Sequence, residues 1–519
     1  MASAAQAPDA PAIELRGISK SFGPVKANED IDLRVEPGTI HGIVGENGAG
    51  KSTLMSILYG FYQADAGEIL IGGKLTPFPD SDAAIRAGIG MVHQHFMLVE
   101  NFTVLENVVL GAEDGALLRP SLAKARAELT RLARDYELQV DADAVVGDLS
   151  VGFQQRVEIL KALYRHADIL ILDEPTGVLT PAEADHLFRI LRFLRDQGKT
   201  IILITHKLRE IMAITDRVSV MRRGRMVATL DTARTSPPEL AELMVGRRVL
   251  LRVDKGPAKP GDVLMQVRDL KVNDWQGVER LRGVSFDLRG GEILGIAGVA
   301  GNGQSELLEV LAGIRPASGG SVRFRGEALA LDSVANAEAR RALGIAHVPE
   351  DRHRRGLVMP FSEWENSCLG YHGEPRYAGP AWTMDRRAIR ELAQAGIEKF
   401  DIRPPSCDLT TSNFSGGNQQ KIVLAREIER DPDVLLVGQP TRGVDIGAIE
   451  FIHREIVALR DRGKAILLVS VELDEIQALA DRIVVMFDGR ISGARAAGET
   501  DERELGLLMA GIDPAERAA

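Results

Sequence analysis

Cysteine is almost missing from this chain, with two in 519 residues. Cys368 and Cys407 form neither a metal-ligand spacing nor a disulfide framework, so two reduced thiols in or near a core are expected. Basic charge is in deficit, with 63 Lys and Arg against 74 Asp and Glu and a formal net charge of -11. The positive footprint of a general nucleic-acid binder is therefore lacking. A small polyanion is not excluded, because it needs only a local positive site. No run reaches the roughly eighteen apolar residues of a membrane span. The longest, such as ADILILD and AILLVSV, are strand-length, so any membrane role is expected to come through partner subunits. The start, MASAAQAPDAPA, has neither the basic n-region nor the apolar h-region of a secretory signal and reads as a disordered arm over residues 1–11.

What is present is a long repeat. HGIVGENGAGKSTLMSIL from His41 answers to LGIAGVAGNGQSELLEVL from Leu294, each an apolar strand, a glycine-rich turn and an amphipathic helix. LSVGFQQRVEILKAL from Leu149 answers to FSGGNQQKIVLAREI from Phe414, ADILILDEPTGVLTPAE to PDVLLVGQPTRGVDIGA, and TIILITHKLREI to AILLVSVELDEI. The offset is 253 residues at the glycine-rich turn (298 − 45) and 265 afterwards (415 − 150), so the second copy carries about a dozen extra residues, expected around His353 to Pro380. A repeat of this length is a duplicated domain, which suits a chain too long for one core. Apolar strands alternating with helical segments give an α/β fold with a largely parallel sheet. The predicted organisation is an arm at 1–11, a first domain at 12–246, a linker at 247–264, a second domain at 265–510 and a tail at 511–519. The linker carries the Lys, Gly and Pro of VDKGPAKPGD.

The chemistry concentrates in the first copy. Gly45-Glu46-Asn47-Gly48-Ala49-Gly50-Lys51-Ser52-Thr53 fits the phosphate-binding pattern G-x-x-x-x-G-K-[ST], between a strand and a helix. Loop N–H groups cradle phosphate oxygens, Lys51 reaches the β- and γ-phosphates, and Ser52 suits a magnesium ion. Ile169-Leu-Ile-Leu-Asp173-Glu174 is an apolar strand ending in two acids, which is costly unless cations or water meet them. Asp173 suits the metal and Glu174 suits polarising the attacking water. Alone, these features also describe a glycine-rich turn and an acidic strand end. His206 and Gln94 say little by themselves, and the flanking His93 and His95 lack the further ligands of a zinc site.

Order and spacing add what no single motif supplies. Phosphate loop, Gln94, Leu149-Ser150-Val151-Gly152-Phe153-Gln154-Gln155, Asp173-Glu174 and His206 together resemble the nucleotide-binding domain of ATP-binding-cassette (ABC) proteins, twice over nearly the whole chain. The resemblance implies two tandem phosphate-loop domains, each with an α/β core, an antiparallel β subdomain and a helical signature subdomain. It implies that Phe22 stacks on adenine, that Gln94 joins the metal and water to a membrane partner, and that His206 contacts the γ-phosphate. It also implies head-to-tail pairing, so that the first loop meets Ser415-Gly416-Gly417-Asn418-Gln419 and Asp445 of the second copy.

The second copy departs from the pattern in a sorted way. Gly298, Gly301, Gly303 and Ser305 are kept, but Gln304 stands for Lys51, Glu350 for Gln94, Gly438 for Asp173, Gln439 for Glu174 and Val471 for His206. Hydrolysis there is expected to be slow, because phosphoryl transfer depends on positioned charge. On the implied pairing this poor loop faces Ser150-Val151-Gly152, where Val replaces a glycine, and Thr180 where the other copy has Asp445. Defects thus gather at one site and intact parts at the other.

GNGQSE, NFSGGNQQK and QPTRGVDIGAIE in the second half resemble importer ATPases for simple sugars and nucleosides, and MVHQHFMLV with FTVLENVVLG is most similar to the nucleoside branch. That family implies an ATPase using ATP and Mg2+ at the cytoplasmic face of the bacterial inner membrane. Its partners are two integral-membrane permease subunits and an extracytoplasmic solute-binding protein or lipoprotein, with no nucleic acid. The competing class, a tandem-cassette translation factor on ribosomes, expects a long charged helical linker and two competent sites.

Overall fold

The computed structural model describes residues 10–512, apart from 24, 94–95, 113–117, 177–178, 180, 249–254, 333–335, 378, 380–382 and 445. The chain divides into two compact units, Met1–Val249 and Leu250–Ala519.

In the first unit a six-stranded sheet runs in the order Arg225–Asp231, Arg217–Arg222, Ile40–Gly45, Thr200–Ile204, Ile169–Asp173, Ile89–Val92. All neighbours are parallel except the Arg217–Arg222 and Arg225–Asp231 hairpin. The strands IHGIVG, ILILD and TIILI are buried along their whole length. Uninterrupted apolar sequence is what a parallel sheet covered on both faces demands. Register then fixes the site. Asp173 pairs with Ile204 and Ile43 also pairs with Ile204, so Gly45, Asp173 and Thr205 leave the sheet at one carboxyl edge. That edge is where open α/β sheets place their ligands.

A second sheet, ordered Val25–Val35, Ile13–Phe22, Ala66–Ile71, Lys74–Leu75, is antiparallel throughout. Helices Val104–Val109, Leu118–Asp135 and Val151–Tyr164 supply the helical part. The first of them starts at a capping box in which Thr103 and Glu106 satisfy each other's backbone N–H groups.

The second unit repeats all three parts. Its main sheet runs Ile345–Val348, Val434–Gly438, Ala465–Ser470, Glu292–Ala297, Arg482–Phe487, Arg490–Ala496. Its antiparallel sheet runs Glu279–Arg289, Val263–Asn273, Gly319–Phe324, Glu327–Ala328. Even the capping box recurs, at Ser362 and Glu365. The extra residues are spread more widely than the sequence suggested. Three precede Ile345 (its counterpart is Ile89), three lie between there and Ser362 (counterpart Thr103), and six lie between Ser362 and Ser415. Cys368 and Cys407 are free thiols beside Trp364 and Tyr371, the first buried and the second half-buried. Among the described residues no helix is long and apolar enough to cross a membrane.

Candidate active site

The first loop leaves the central strand at Gly45 and enters helix Lys51–Leu58 at Gly50. Two glycines are dictated by space. A Cβ on Gly45 would lie 2.4 Å from the Met221 carbonyl oxygen, and one on Gly50 2.3 Å from that of Ala27. Gly50 also has φ 98° and caps the helix in the left-handed region, while Asn28 Nδ2 donates to its carbonyl at 3.1 Å. Gly50→Ala is therefore expected to cost at least about 1–2 kcal/mol in backbone strain. The melting transition of the first unit should fall by roughly 2–8 °C, checked by calorimetry of the full chain.

Lys51 is buried and folds back on the loop, its Nζ donating to the carbonyls of Gly45 at 2.7 Å and Glu46 at 3.0 Å. Burial pushes its ammonium pKa down, against the pull of Glu174, Asp173 and Glu46. The loop between Glu46 and Gly50 holds a tight turn, with Ala49 N donating to Glu46 O at 3.1 Å and Gly48 at φ 79°. Asn47 and Thr53 sit on the same loop and first helical turn.

Asp173 ends its strand buried, hydrogen-bonded by the Ser52 hydroxyl. Burial and the neighbouring Glu174 carboxylate raise its pKa, while Ser52 and Lys51 oppose the rise. A hydroxyl and a carboxylate beside a phosphate loop are a donor set that fits Mg2+.

Glu174 takes the left-handed conformation, φ 46°, and its N–H donates to Ile204 O at 2.8 Å. This turn aims the carboxylate at His206, whose Nδ1 lies 2.8 Å from Glu174 Oε1. Burial favours the neutral acid, but the His206 hydrogen bond with the charges of His206, Lys51 and Lys207 outweighs it. Glu174 is therefore held below the ordinary carboxylate range, ionised and ready to accept a proton. Gln155, at the end of the signature stretch, donates to Pro175 O at 2.8 Å and ties the signature helix to this turn.

Phe22 lies at the end of its hairpin strand, 43 % exposed, edge-on to Tyr62 at 5.2 Å. Gln94, Thr180 and Asp445 lie outside the described residues.

The second unit keeps the scaffold and changes the groups. Gly301 has φ 90° and Gly303 φ 99°, beside 79° and 98° for Gly48 and Gly50. Gln304 Nε2 donates to Val299 O at 3.0 Å, a neutral version of the Lys51 fold-back. Gln439 even keeps the left-handed turn, φ 48°, with its N–H on Val469 O at 2.8 Å. Its Oε1 accepts from the backbone N–H of Val471 at 3.4 Å, and no histidine is there. The strained turn thus belongs to the fold, and only the first unit equips it with an acid and an imidazole.

The two signatures differ in charge as well as in shape, which sequence reading did not find. In the second unit Ser415 caps helix Gly416–Ile428 and accepts from Asn418 Nδ2 at 2.8 Å. Gln419 Nε2 donates to Phe414 O at 2.9 Å, and its Oε1 pairs with His353 at 2.8 Å. The Arg352 guanidinium packs against Gly416, where an added Cβ would meet its Nη2 at 2.7 Å, while Nη1 donates to Arg442 O at 2.8 Å. Gly417 is buried in the first turn. In the first unit Ser150 caps helix Val151–Tyr164, Val151 is exposed, and a Cβ on Gly152 would lie 2.9 Å from the Glu183 carboxylate. Among the described residues the Arg352 guanidinium stands behind one signature, and the Glu183 carboxylate, with Arg156 near it, behind the other. The run Arg352-His353-Arg354-Arg355 was visible in sequence, but a charge run is most often a solvated face, and only the fold puts Arg352 on the signature.

A phosphate loop at the carboxyl edge, a hydroxyl and acid for a cation, and a signature helix define a cassette-type ATPase. A profile described as ABC transporter matches residues 28–177 and 281–442, and the chain belongs to that family. It is 46% identical over 501 residues to the nucleoside import ATP-binding protein NupA of Lactococcus lactis, covering 96% of this chain and 98% of that protein. It is 47% identical over 502 residues to the guanosine import ATP-binding protein NupO of Bacillus subtilis (96% and 97%). To the glucose import ATP-binding protein TsgD13 of Haloferax volcanii it is 46% identical over 533 residues (96% of each). Among solved structures, the complex of archaeal stalk protein aP1 with ribosome recycling factor aABCE1 aligns with TM-score 0.58 and 20% identity, over 92% of this chain and 89% of that one. At that identity the likeness shows the tandem fold alone.

Proposed function

We propose that this chain is the ATP-hydrolysing subunit of an importer for nucleosides or simple sugars, with one efficient hydrolytic site. The observation that carries the single site is the Glu174–His206 pair beside Lys51, set against the same turn in the second unit with Gln439 and Val471. ATP is held by the first loop, with Phe22 on the adenine and Lys51 released from its carbonyls to the terminal phosphates. Ser52, Asp173 and Gln94 would hold Mg2+, which would supply charge neutralisation to the phosphates. Glu174 accepts the proton of the attacking water, and His206 orients Glu174 and meets the γ-phosphate. The second unit completes the site with Ser415, Gly416, Gly417, Asn418, Gln419 and Asp445. The Arg352 cation behind that signature suits a polyphosphate.

The partners on this reading are two permease subunits and an extracytoplasmic solute-binding protein, with the chain on the cytoplasmic face of the membrane. Closing on ATP and reopening after hydrolysis drive the permease between its two states. The relatives favour nucleosides as the solute. Uptake of labelled guanosine, uridine and ribose by a strain lacking this chain tests it. Loss of nucleoside uptake, restored by the wild-type chain and not by Lys51→Ala, is expected. Loss of ribose uptake alone moves the solute to the sugars, and unchanged uptake of all three refutes the importer reading.

A further inference from the structure

The two units part company behind their signatures. In the first, a cleft of about 190 Å³ opens between the signature helix Val151–Tyr164 and helix Pro181–Asp196. Ile159, Leu187 and Ile190 line it with aliphatic surface. Phe153 lines it too, 41 % exposed, with the Arg156 guanidinium 4.6 Å from its ring centre. In the second unit Phe451 takes the position of His186 (451 − 186 = 265, the offset of the two signatures). Phe451 packs against the core, edge-on to Phe400 at 5.6 Å and with Lys421 Nζ 4.8 Å from its ring centre. The second unit thus supplies an aromatic ring of its own beside its signature helix. The first has an imidazole at that position and a cleft beside it.

The polar groups of the cleft are matched to one kind of ring edge. His186 Nδ1 lies 3.2 Å from Arg189 Nη2, which can only donate, so Nδ1 accepts and the proton sits on Nε2. Burial and the charges of Arg156 and Arg189 push the His186 pKa down and favour this neutral ring. The Nε2 atom is buried, and among the described residues it has no hydrogen-bond partner. A buried donor left in that state is costly. Glu183, three residues earlier and so on the same helix face, brings a carboxylate to the same cleft. A donor beside an acceptor reads a lactam edge, an N–H next to a C=O, which uracil, hypoxanthine and guanine carry and adenine lacks. An apolar cavity of about 150 Å³ holds a benzene ring, so this cleft takes one base and leaves a sugar outside.

We propose that the cleft binds the lactam-type nucleobase of the transported solute, free or as its nucleoside, and that its occupancy acts on the first hydrolytic turn. The base stacks on Phe153, His186 Nε2 donates to its carbonyl, and Glu183 accepts from the adjacent N–H. Gln155 lines the cleft as well and donates to the carbonyl of Pro175, the residue after Glu174. A bound base therefore touches the side chain that holds the turn. The cleft and its edge chemistry stand on the first unit alone. That the base belongs to the solute rests on the importer reading.

The test uses the full chain with a saturating non-hydrolysable ATP analogue and Mg2+, which closes the nucleotide sites to free bases. Calorimetric titration with uracil is expected to show saturable binding, and titration with adenine or ribose none. Uridine binding as uracil does makes the nucleoside the ligand, and uridine failing to compete makes it the free base. His186→Phe, which installs the ring of the second unit, should abolish binding and leave basal ATP turnover unchanged. Glu183→Gln keeps the cleft open and should weaken uracil roughly tenfold, as loss of a hydrogen bond to a charged group does. With ATP in place of the analogue, wild-type turnover should change over the concentrations at which uracil binds, and that of His186→Phe should not. No uracil binding, binding retained in His186→Phe, adenine binding as well as uracil, or turnover indifferent to saturating uracil overturns the inference. A failed uptake test with these results intact removes the importer reading and leaves the site.

Discussion

Glu174→Gln is expected to lower ATP turnover of the assembled transporter by roughly 10²–10⁴-fold, the worth of a positioned general base. Nucleotide binding should survive, because glutamine fits the turn without strain beyond what is already there. Gln439 demonstrates this, holding φ 48° and the same bond to the neighbouring strand. The loss should therefore lie in kcat and not in affinity, measured by steady-state ATPase against analogue binding. The reverse change, Gln439→Glu, is expected to restore little. It would bring a carboxylate to the matching turn, but without an imidazole like His206 or an ammonium like Lys51 to keep it ionised. Unchanged turnover in Glu174→Gln removes Glu174 from catalysis.

The first site was legible because its chemistry is local in sequence. Lys51 and Ser52 adjoin the loop glycines, and Asp173-Glu174 ends a strand whose apolar run announces its burial. The duplication was legible for the same reason. What sequence did not reveal depends on register and on close approach between distant segments. Glu350 and Gly438 read as two separate losses, because only the packed sheet shows that one side chain fills the space vacated by the other. Arg352 and Glu183 are far in sequence from the signatures they back. The extra residues of the second unit were expected in one stretch, yet they divide among three connections, as surface loops accept small insertions at low cost.

Gly416→Val is expected to be the most damaging single change outside the first unit. A Cβ at Gly416 meets two obstacles of different kinds, Arg352 Nη2 at 2.7 Å and the Gly443 carbonyl oxygen at 2.9 Å. The guanidinium is the end of a flexible side chain and moves aside, but the carbonyl is backbone. Either adjustment shifts groups that the proposed pairing places against the terminal phosphates of the first loop. Overpacking of this kind costs about 1–3 kcal/mol, or roughly 5–150-fold in turnover if felt at the transition state. Melting of the same variant separates this from unfolding, since the disturbance is confined to the start of helix Gly416–Ile428, Arg352 and the Gly443 carbonyl. Val151→Gly is the counterpart, and its gain should stay under about twofold. It opens a signature that backs onto Glu183 and that, on the proposed pairing, serves a loop without a general base. Arg352→Met, which keeps length and removes charge, should fall between the two. If Val151→Gly changed turnover more than Gly416→Val, the first loop would not be working with the second signature.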